Sequence, residues 1–413
     1  MTRSEGPRYP VQYSNDPLPI FDFTYVEPDA RPLCPERFRK KVVVDTIHDG
    51  HIVPRRLLES PRVRPLVEDG SLWRSYVVER DWGANLVAKH LVRALGLGGF
   101  HNVTTARLVM DFNRFPGSSP PDATPLDRLA IIEPFSSVLN HAEKRYVLRK
   151  FYDAVSDMME AAIYGKLIKI AVHTYDAFNE SRTERPKVSL ITRALSYQLH
   201  SHLPFGLFDP IFPDVLAESS CHSILRDRLA ITLEKAGISV EHNYPYCAPD
   251  GSLEIRSQPW FYFQRVRSLF EESHPATRGR PAFDRVWAML LNTNLRDGDA
   301  EALRGFLHRF RGTPEGLKDD FAAAAEAYEM IAEFTRSNPE LITGYRRSPD
   351  RTSSLSIEVR KDLVFRFEDG EPVEPLEDNA REIAEKVAQA VAIYLENDRE
   401  EVLSAAGRPS SAG

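Results

Sequence analysis

The chain has 413 residues, of which 42% are hydrophobic, enough for a substantial folded core in one large domain or two to three ordinary ones. Its net charge of -7 argues against broad nucleic-acid binding, which requires a basic face. Three cysteines, far apart and odd in number, indicate a reducing compartment. The first residues show no secretory signal, and no apolar run approaches the ~18 residues of a membrane span. We therefore expect a cytoplasmic protein with no nucleic-acid or membrane partner.

The pattern of apolar residues predicts that strands alternate with helices. In chain order we expect an irregular arm at 1–40, a strand at 41–47, a helix and loop at 55–70, a strand or extended segment at 72–78, a helix at 82–95, a strand at 104–112, a helix near 140–165, a strand at 167–172, a helix at 222–236, a strand at 238–242, mostly helices at 255–345, a strand at 354–360 and a helix at about 376–396. This alternation is typical of a three-layer α/β/α fold with a mainly parallel sheet covered on both faces.

The helical stretch at 255–345 interrupts an otherwise continuous α/β pattern. Residues 41–254 and 346–400 are predicted to form one catalytic α/β domain, preceded by the arm at 1–40 and followed by a flexible tail at 401–413. The stretch between them is interpreted as an insertion that caps one end of the sheet. The alternative is an independent interaction domain.

Two histidines follow the first predicted strand, and a glycine lies between them. His48 and His51 come directly after a β-branched run, and Gly50 allows a tight turn. In open α/β folds ligands bind beyond the carboxyl ends of the strands, so two imidazoles there can bind one divalent metal. The alternative is a pair of solvated loop histidines, because a metal site needs further ligands.

Other strand ends carry the remaining parts of a hydrolytic zinc site. Asn113 and Arg114 end the predicted strand at 104–112, His173 follows the strand at 167–172, and the strand at 354–360 carries Glu358. Three protein ligands hold a catalytic zinc and leave one position for water. A carboxylate beside that water transfers its proton to the leaving nitrogen, and an arginine holds a substrate carboxylate. The alternatives are internal ion pairs, with Asp111 for Arg114 and with neighbouring arginines for Glu358.

Six motifs in this order resemble the N-formylglutamate amidohydrolases, a family of metallo-carboxypeptidase-like hydrolases. They cover about 41–250 and 350–397. The motifs are His48-Asp49-Gly50-His51-Ile52-Val53-Pro54, Glu79-Arg80-Asp81-Trp82-Gly83-Ala84, Arg107-Leu108-Val109-Met110-Asp111-Phe112-Asn113-Arg114, Ala171-Val172-His173-Thr174, Asn243-Tyr244-Pro245-Tyr246 and Glu358-Val359-Arg360-Lys361-Asp362-Leu363.

The resemblance implies a phosphorylase/hydrolase-like fold, a small-molecule or peptide substrate with a carboxylate, and a zinc cofactor, with Mn²⁺ or Fe²⁺ as alternatives. It also implies roles for individual residues. These are metal ligands at His48, His51 and His173, a general base at Glu358, an oxyanion stabiliser at Arg80, a carboxylate clamp at Asn113 and Arg114, and further substrate contacts at Asn243, Tyr246 and Arg360.

Some positions depart from the family pattern. His51 replaces the glutamate ligand of the wider superfamily, and Ala171 replaces the family's aspartate two residues before its histidine. Asp153 replaces a substrate-contacting histidine, and the 255–345 insertion is not a feature of the ordinary family member. We therefore expect a metal-dependent amidohydrolase with a specialised formyl, acyl or peptide-like substrate. The alternatives are a carboxypeptidase or aspartoacylase-type hydrolase and a non-catalytic substrate- or peptide-binding homologue.

Overall fold

The computed structural model describes residues 21–124, 127–179, 181–195, 208–309, 312, 316–346, 348 and 351–398. The first half of the predicted arm and the predicted tail at 401–413 lie outside these ranges. Within the described part of the chain, no helix combines the length and the apolar character needed to cross a membrane.

A seven-stranded mixed sheet lies at the centre of the described residues. Its spatial order is β1-β3-β2-β4-β7-β5-β6, and β8 and β9 form a separate hairpin. The strands are β1 (Phe21–Tyr25), β2 (Val42–Thr46), β3 (Gly99–Val103), β4 (Ile168–Tyr175), β5 (Val188–Ile191), β6 (Val240–His242), β7 (Ser353–Arg360), β8 (Phe365–Glu368) and β9 (Glu371–Pro375).

The four central strands β3, β2, β4 and β7 are parallel to one another. β1 pairs antiparallel with β3 at one edge, whereas β5 pairs antiparallel with β7 and parallel with β6 near the other. Every residue of β2 and β4 is buried, as expected where helices cover both faces of a parallel sheet. The predicted α/β class with a mainly parallel mixed sheet is confirmed.

The longer helices are α1 (Ser71–Glu79), α2 (Ala84–Leu95), α3 (His141–Val147, continued by the π-helical turn Leu148–Tyr152 and by Asp153–Ile163), α4 (Ser223–Lys235), α5 (Leu253–Ser273), α6 (Pro281–Leu291), α7 (Gly298–Leu307), α8 (Lys318–Ser337), α9 (Pro339–Arg346) and α10 (Glu377–Ile393). Shorter helical segments are Glu36–Arg39, Arg55–Leu58, Arg64–Glu68, Phe135–Val138, Asp214–Ala217, Pro275–Thr277, Lys361–Val364 and Tyr394–Asp398.

Helices α2, α4 and α10 cover one face of the sheet. In α2 the apolar residues recur at helical spacing and pack against Val42, Ile170 and Leu355 of the strands. The helix ends at Gly96, whose φ of 76° is the left-handed conformation that terminates many helices. One apolar layer therefore packs these three helices against this face of the sheet.

The opposite face is more polar and supports α3 and α5. Lys169 of β4 lies there, and its ammonium forms ion pairs with Asp45 of β2 and Glu254 of α5, all three side chains being 1% exposed. The rest of α5 packs into an aromatic core with α6 to α8, which also includes Ile191 of β5. A buried charge cluster and an apolar core thus join the helical segment to the sheet. The domain boundaries proposed from the sequence stay a prediction.

Three local expectations were wrong. Residues 72–78 belong to α1, and Phe21–Tyr25 of the arm expected to be irregular forms strand β1. The strand expected at 104–112 lies instead at Gly99–Val103, as β3, before the third sequence motif. β3 carries polar His101 and Asn102, so its pattern is weak. The apolar run that follows it is a buried loop, in which Leu108 and Met110 are at most 1% exposed. The apolar residues of 104–112 therefore reflect burial in the core and do not indicate an extended backbone.

Candidate metal centre and cavity

The carboxyl ends of three adjacent strands bring distant residues to one place. His48 lies two residues after β2, His173 lies in β4, and Glu358 lies beside His173 in the parallel register of β7. Together they line a cavity of about 400 Å³. The sequence-based expectation that these strand ends converge is therefore met in the structure.

One carboxylate and two imidazoles at the cavity floor have the composition of a metal site. One potential ligand atom from each of His48, Asp81 and His173 lies within 4.8 Å of the others. Asp81 Oδ2 is 2.8 Å from His173 Nδ1 and 3.6 Å from His48 Nδ1. All three residues are 2% exposed. A buried set of two histidines and one carboxylate matches the ligands of hydrolytic zinc sites.

The surroundings of this group fit a bound cation. His48 Nε2 lies 2.9 Å from Asp111 Oδ1, the outer carboxylate contact that orients metal-bound histidines. Among the described residues, His173 Nε2 is buried without a hydrogen-bond partner. The donor types, their burial and this unsatisfied nitrogen agree with the binding of a divalent metal.

Both carboxylates near the imidazoles are held in the ionised form. Burial alone would raise the pKa of Asp81, but hydrogen bonds with His173 and His48 and the charge of Arg107 hold it well below its usual range. Burial likewise opposes ionisation of Asp111, whose pKa Arg107 and His48 hold well below normal. Asp81 is therefore available as an anionic ligand at neutral pH.

Backbone contacts fix the turn that carries His48. A Cβ atom on Gly50 would lie only 2.2 Å from the carbonyl oxygen of Thr105, so only glycine fits there. The backbone N–H of Asp81 donates to the carbonyl of His48 at 3.1 Å. The histidine turn and the Asp81 turn are thus joined directly by their main chains.

Glu358 and Tyr246 lie together on the cavity wall. The Tyr246 side chain interacts with the Glu358 carboxylate and favours its ionised form. Glu358 is 8% exposed, and its burial raises the pKa of its carboxyl group, partly opposed by the charge of His173. A carboxyl group in this environment can both accept and donate a proton.

Three polar side chains from the segment after β3 line the same cavity. Arg107 contacts Asp81 and Asp111, each at 3.2 Å, and Asn113 and Arg114 lie beyond them. Arg114 Nε is 3.8 Å from Asp111 Oδ2, and Arg114 Nε and Asn113 Oδ1 are buried without a hydrogen-bond partner among the described residues. Arg114 and Asn113 therefore keep hydrogen-bonding capacity toward the cavity.

His51 does not join the metal group. The residue is exposed and does not line the cavity, and its backbone N–H donates to the carbonyl of Thr104 at 3.0 Å. Within the described residues the third member of the group is Asp81. The expected all-histidine set is replaced by two histidines and a carboxylate.

Arg80, the expected oxyanion stabiliser, does not line the cavity. Its Nε donates to Asp49 Oδ1 at 2.6 Å, its Nη1 donates to the Tyr76 hydroxyl at 2.5 Å, and its guanidinium lies over the Trp82 ring at 4.1 Å. These contacts engage the guanidinium outside the cavity. Arg107 is the arginine that reaches the metal group.

Asn243 and Arg360 also differ from their expected substrate-binding roles. The Asn243 side-chain oxygen accepts hydrogen bonds from the backbone N–H groups of Thr192 and Arg193, at 2.8 and 3.0 Å. Arg360 forms ion pairs with Glu184 and Asp362 at 2.6 and 2.7 Å. Neither residue lines the cavity, because both side chains satisfy local partners instead.

Sequence reasoning missed the roles of three residues that lay inside the quoted motifs. Asp81, Arg107 and Asp111 surround the two imidazoles, but the motifs predicted no metal-site role for them in a hydrolase, and Asp111 was expected only as an ion-pair partner of Arg114. The sequence feature that could have identified them is the presence of carboxylates near the two histidines. Two buried histidines that bind a cation need nearby carboxylates to orient them, and the motifs contained two.

No protein-family model matches the chain, and no curated protein matches it. Two solved structures are remotely similar to it. One is N-formylglutamate amidohydrolase from Ralstonia eutropha JMP134, with 14% sequence identity, coverage of 91% of this chain and 98% of the other, and a TM-score of 0.47. The other is a gene product of Agrobacterium tumefaciens, with 16% identity, coverage of 89% and 92%, and a TM-score of 0.37.

Proposed function

We propose that this protein is a metal-dependent amidohydrolase that cleaves the C–N bond of a formyl, acyl or peptide-like amide in a carboxylate-bearing substrate. The observation that carries the proposal is the buried His48–Asp81–His173 group at the floor of a cavity that Glu358 also lines. Buried histidines and carboxylates beside an enclosed cavity are typical of catalytic sites.

His48, Asp81 and His173 would hold the metal. A divalent ion there would polarise the scissile carbonyl and lower the pKa of a water molecule toward ~7. Two histidines and one carboxylate suit zinc, and the same set also suits Mn²⁺ or Fe²⁺.

Glu358 is proposed as the general base and acid. Its carboxylate takes one proton from the attacking water while the water oxygen bonds to the carbonyl carbon. When the C–N bond breaks, Glu358 returns that proton to the leaving nitrogen, so the products are a carboxylic acid and an amine. Tyr246 lines the same cavity and favours the ionised form of the Glu358 carboxyl group.

Arginine side chains would interact with the negative charges of the carbonyl oxygen and of the substrate carboxylate. Arg107 lies against the metal group and is placed to stabilise the negative charge that develops on the carbonyl oxygen. Arg114 Nε is a donor without a hydrogen-bond partner among the described residues, which suits a substrate carboxylate, and Asn113 lines the cavity beside it. The Arg107 role replaces the one expected for Arg80.

A second candidate function follows from the same ligand set. Two histidines and one carboxylate also form the facial triad of iron(II) oxygenases. Glu358 favours hydrolysis, because a buried carboxyl group beside the metal group serves proton transfer to a leaving nitrogen.

A substrate panel tests the proposal. Purified protein with added Zn²⁺, Mn²⁺ or Fe²⁺ is assayed for amine release from N-formyl and N-acetyl amino acids, from dipeptides, and from matched amides that lack the carboxylate. We expect turnover that requires both the metal and the carboxylate and that is lost in Asp81→Asn. Preference for dipeptides would favour the carboxypeptidase-type alternative. Tight ligand binding without turnover under any metal would favour the binding homologue and overturn the proposal.

A further inference from the structure

Arg185 is a cavity-lining arginine to which no role has been assigned. It lies in the connection between β4 and β5, three residues before β5 begins. Its guanidinium lies 5.3 Å from the centre of the Tyr175 ring, and Nη1 donates to the carbonyl of Asp176 at 3.3 Å. The Tyr175 hydroxyl in turn donates to the carbonyl of Pro186 at 2.7 Å. These contacts fix the arginine on the cavity wall.

The hydrogen-bonding capacity of Arg185 is mostly unused. Nε is buried with no hydrogen-bond partner, and the guanidinium forms no ion pair with a carboxylate of the described residues. The other cations of the cavity differ, since Arg107 forms ion pairs with three carboxylates and Lys361 pairs with Asp176 at 3.2 Å. With Nη1 engaged, the Nε–Nη2 edge is free, and this edge binds a carboxylate in bidentate fashion.

Arg185 and Arg114 approach the cavity from different sides. Arg114 belongs to the segment after β3 and lies close to Asp111, the partner of His48 at the end of β2. Arg185 directly precedes β5, which lies beyond β7 in the sheet. His173 in β4 and Glu358 in β7 lie between these positions in the strand order, so a candidate metal ligand and the proposed base separate the two arginines.

We propose that Arg185 binds a second carboxylate, carried by the acyl part of the substrate. This inference rests on the proposed amidohydrolase function. With the amine-side carboxylate at Asn113 and Arg114 and the scissile carbonyl at the metal group, the acyl chain extends toward Arg185. The substrate class is therefore an N-acyl amino acid whose acyl chain itself ends in a carboxylate.

Two substrates that differ only at the acyl end test the inference. N-succinyl-alanine ends its acyl chain in a carboxylate, and N-succinamoyl-alanine ends it in a neutral amide of nearly the same shape. We expect the wild type to prefer the charged substrate in kcat/KM. In Arg185→Gln that preference should fall by about 10- to 100-fold, the usual effect of losing a hydrogen-bonded charge.

Control variants separate this role from a structural one. Arg185→Lys keeps the charge but loses the bidentate edge, so the preference should recover only in part. Arg193→Gln removes a nearby cation that does not line the cavity and pairs with Glu218 at 3.6 Å, and it should leave the preference unchanged. Thermal unfolding of each variant checks that the fold is intact.

A second pair of substrates tests the assignment to the acyl side. N-acetylglutamate and N-acetylglutamine differ in charge only on the amine side, so Arg185→Gln should alter their ratio little. A change confined to this pair would overturn the acyl-side assignment.

Calorimetric binding of N-succinyl-alanine to wild type and Arg185→Gln separates failure of this inference from failure of the proposed function. Hydrolysis of both acyl substrates at equal efficiency by the wild type would overturn the inference alone. Binding that depends on Arg185 but without hydrolysis would support the carboxylate subsite and contradict the hydrolytic function. Absence of both binding and hydrolysis would overturn both.

Discussion

Glu358 illustrates how neighbouring groups define a residue's chemistry. Its carboxyl group is buried between the imidazole of His173 and the hydroxyl of Tyr246, and burial raises its pKa. The competing expectation from the sequence was an ion pair with a neighbouring arginine. Arg360 instead pairs with Glu184 and Asp362, which leaves Glu358 facing the cavity.

Replacing Glu358 by glutamine tests this assignment. Glu358→Gln removes the proton acceptor and nearly preserves the side-chain shape. We expect kcat to fall by about 10²- to 10⁴-fold, the usual contribution of general acid–base catalysis. Metal content should be unchanged because Glu358 is not in the ligand group. Unaltered turnover would show that another group transfers the proton.

At the scale of structural elements, an ion pair joins the two turns that carry the candidate metal ligands His48 and Asp81. Asp49 follows His48 and Arg80 precedes Asp81, and their side chains meet at 2.6 Å with Asp49 only 2% exposed. Asp49 also accepts a hydrogen bond from the backbone N–H of Asn85 at 2.8 Å, at the start of α2. Arg80 therefore links the turns of two candidate metal ligands and does not line the cavity.

Removing the Arg80 side of this pair should weaken both the fold and the metal site. Arg80→Met leaves the buried Asp49 carboxylate without its cation, which typically costs about 3 kcal/mol in the free energy of unfolding. Loss of such an outer contact lowers metal affinity by about 10- to 100-fold. Urea denaturation and metal titration measure the two effects.

Arg93→Met provides the matched control. Arg93 pairs with Asp29 on the surface, with both side chains more than 40% exposed, so its loss should cost less than about 1 kcal/mol. Equal effects of the two substitutions on metal affinity would refute a specific role for the Arg80–Asp49 pair.

Periodicity predicted those elements whose apolar pattern arises from packing on the sheet. The strands around Val44 and Ile170 and the helices α2 and α10 fall where they were expected. Periodicity predicted a strand after β3 where there is none. Leu108 and Met110 are buried in a loop, and their apolar pattern resembles that of a buried strand. Periodicity also left open whether His51 binds metal or is a solvated loop histidine, and the structure shows that it is exposed.

At the scale of the whole molecule, the sheet determines which distant residues meet. The sequence predicted that His48, His173 and Glu358 meet, because the carboxyl ends of parallel strands lie at one edge of the sheet. In the structure all three residues line one cavity. The identity of the third ligand could not be deduced in this way. Asp81 belongs to a connection between helices, and its position depends on the main-chain hydrogen bond to His48.

The three cysteines are free thiols buried in the folded protein. Burial raises the pKa of Cys34 to about 11 and that of Cys221 to about 12, so both thiols stay protonated at neutral pH. Because the thiolate is the reactive form, native protein should react very slowly with a disulfide reagent at pH 8. Reactivity should rise only as the pH approaches these raised values or as the protein unfolds.

The reactivity of Cys34 and Cys221 is measured by thiol labelling of a Cys247→Ser variant. Cys247 is removed because it lines the cavity. We expect two thiols to react in urea and almost none in buffer. Ser337→Cys, at an exposed position, supplies a fast-reacting control. Rapid labelling of the native background protein at pH 8 would contradict the burial of Cys34 and Cys221.

The most direct test of the account is the metal content and affinity of the purified protein. After preparation without chelator, elemental analysis should find about one divalent metal ion per chain. Calorimetric titration of metal-free protein should show that Asp81→Asn and His173→Ala greatly weaken binding, whereas His51→Ala leaves it nearly unchanged. A protein that binds no divalent metal, or one in which His51→Ala abolishes binding and Asp81→Asn does not, would contradict the metal centre proposed here.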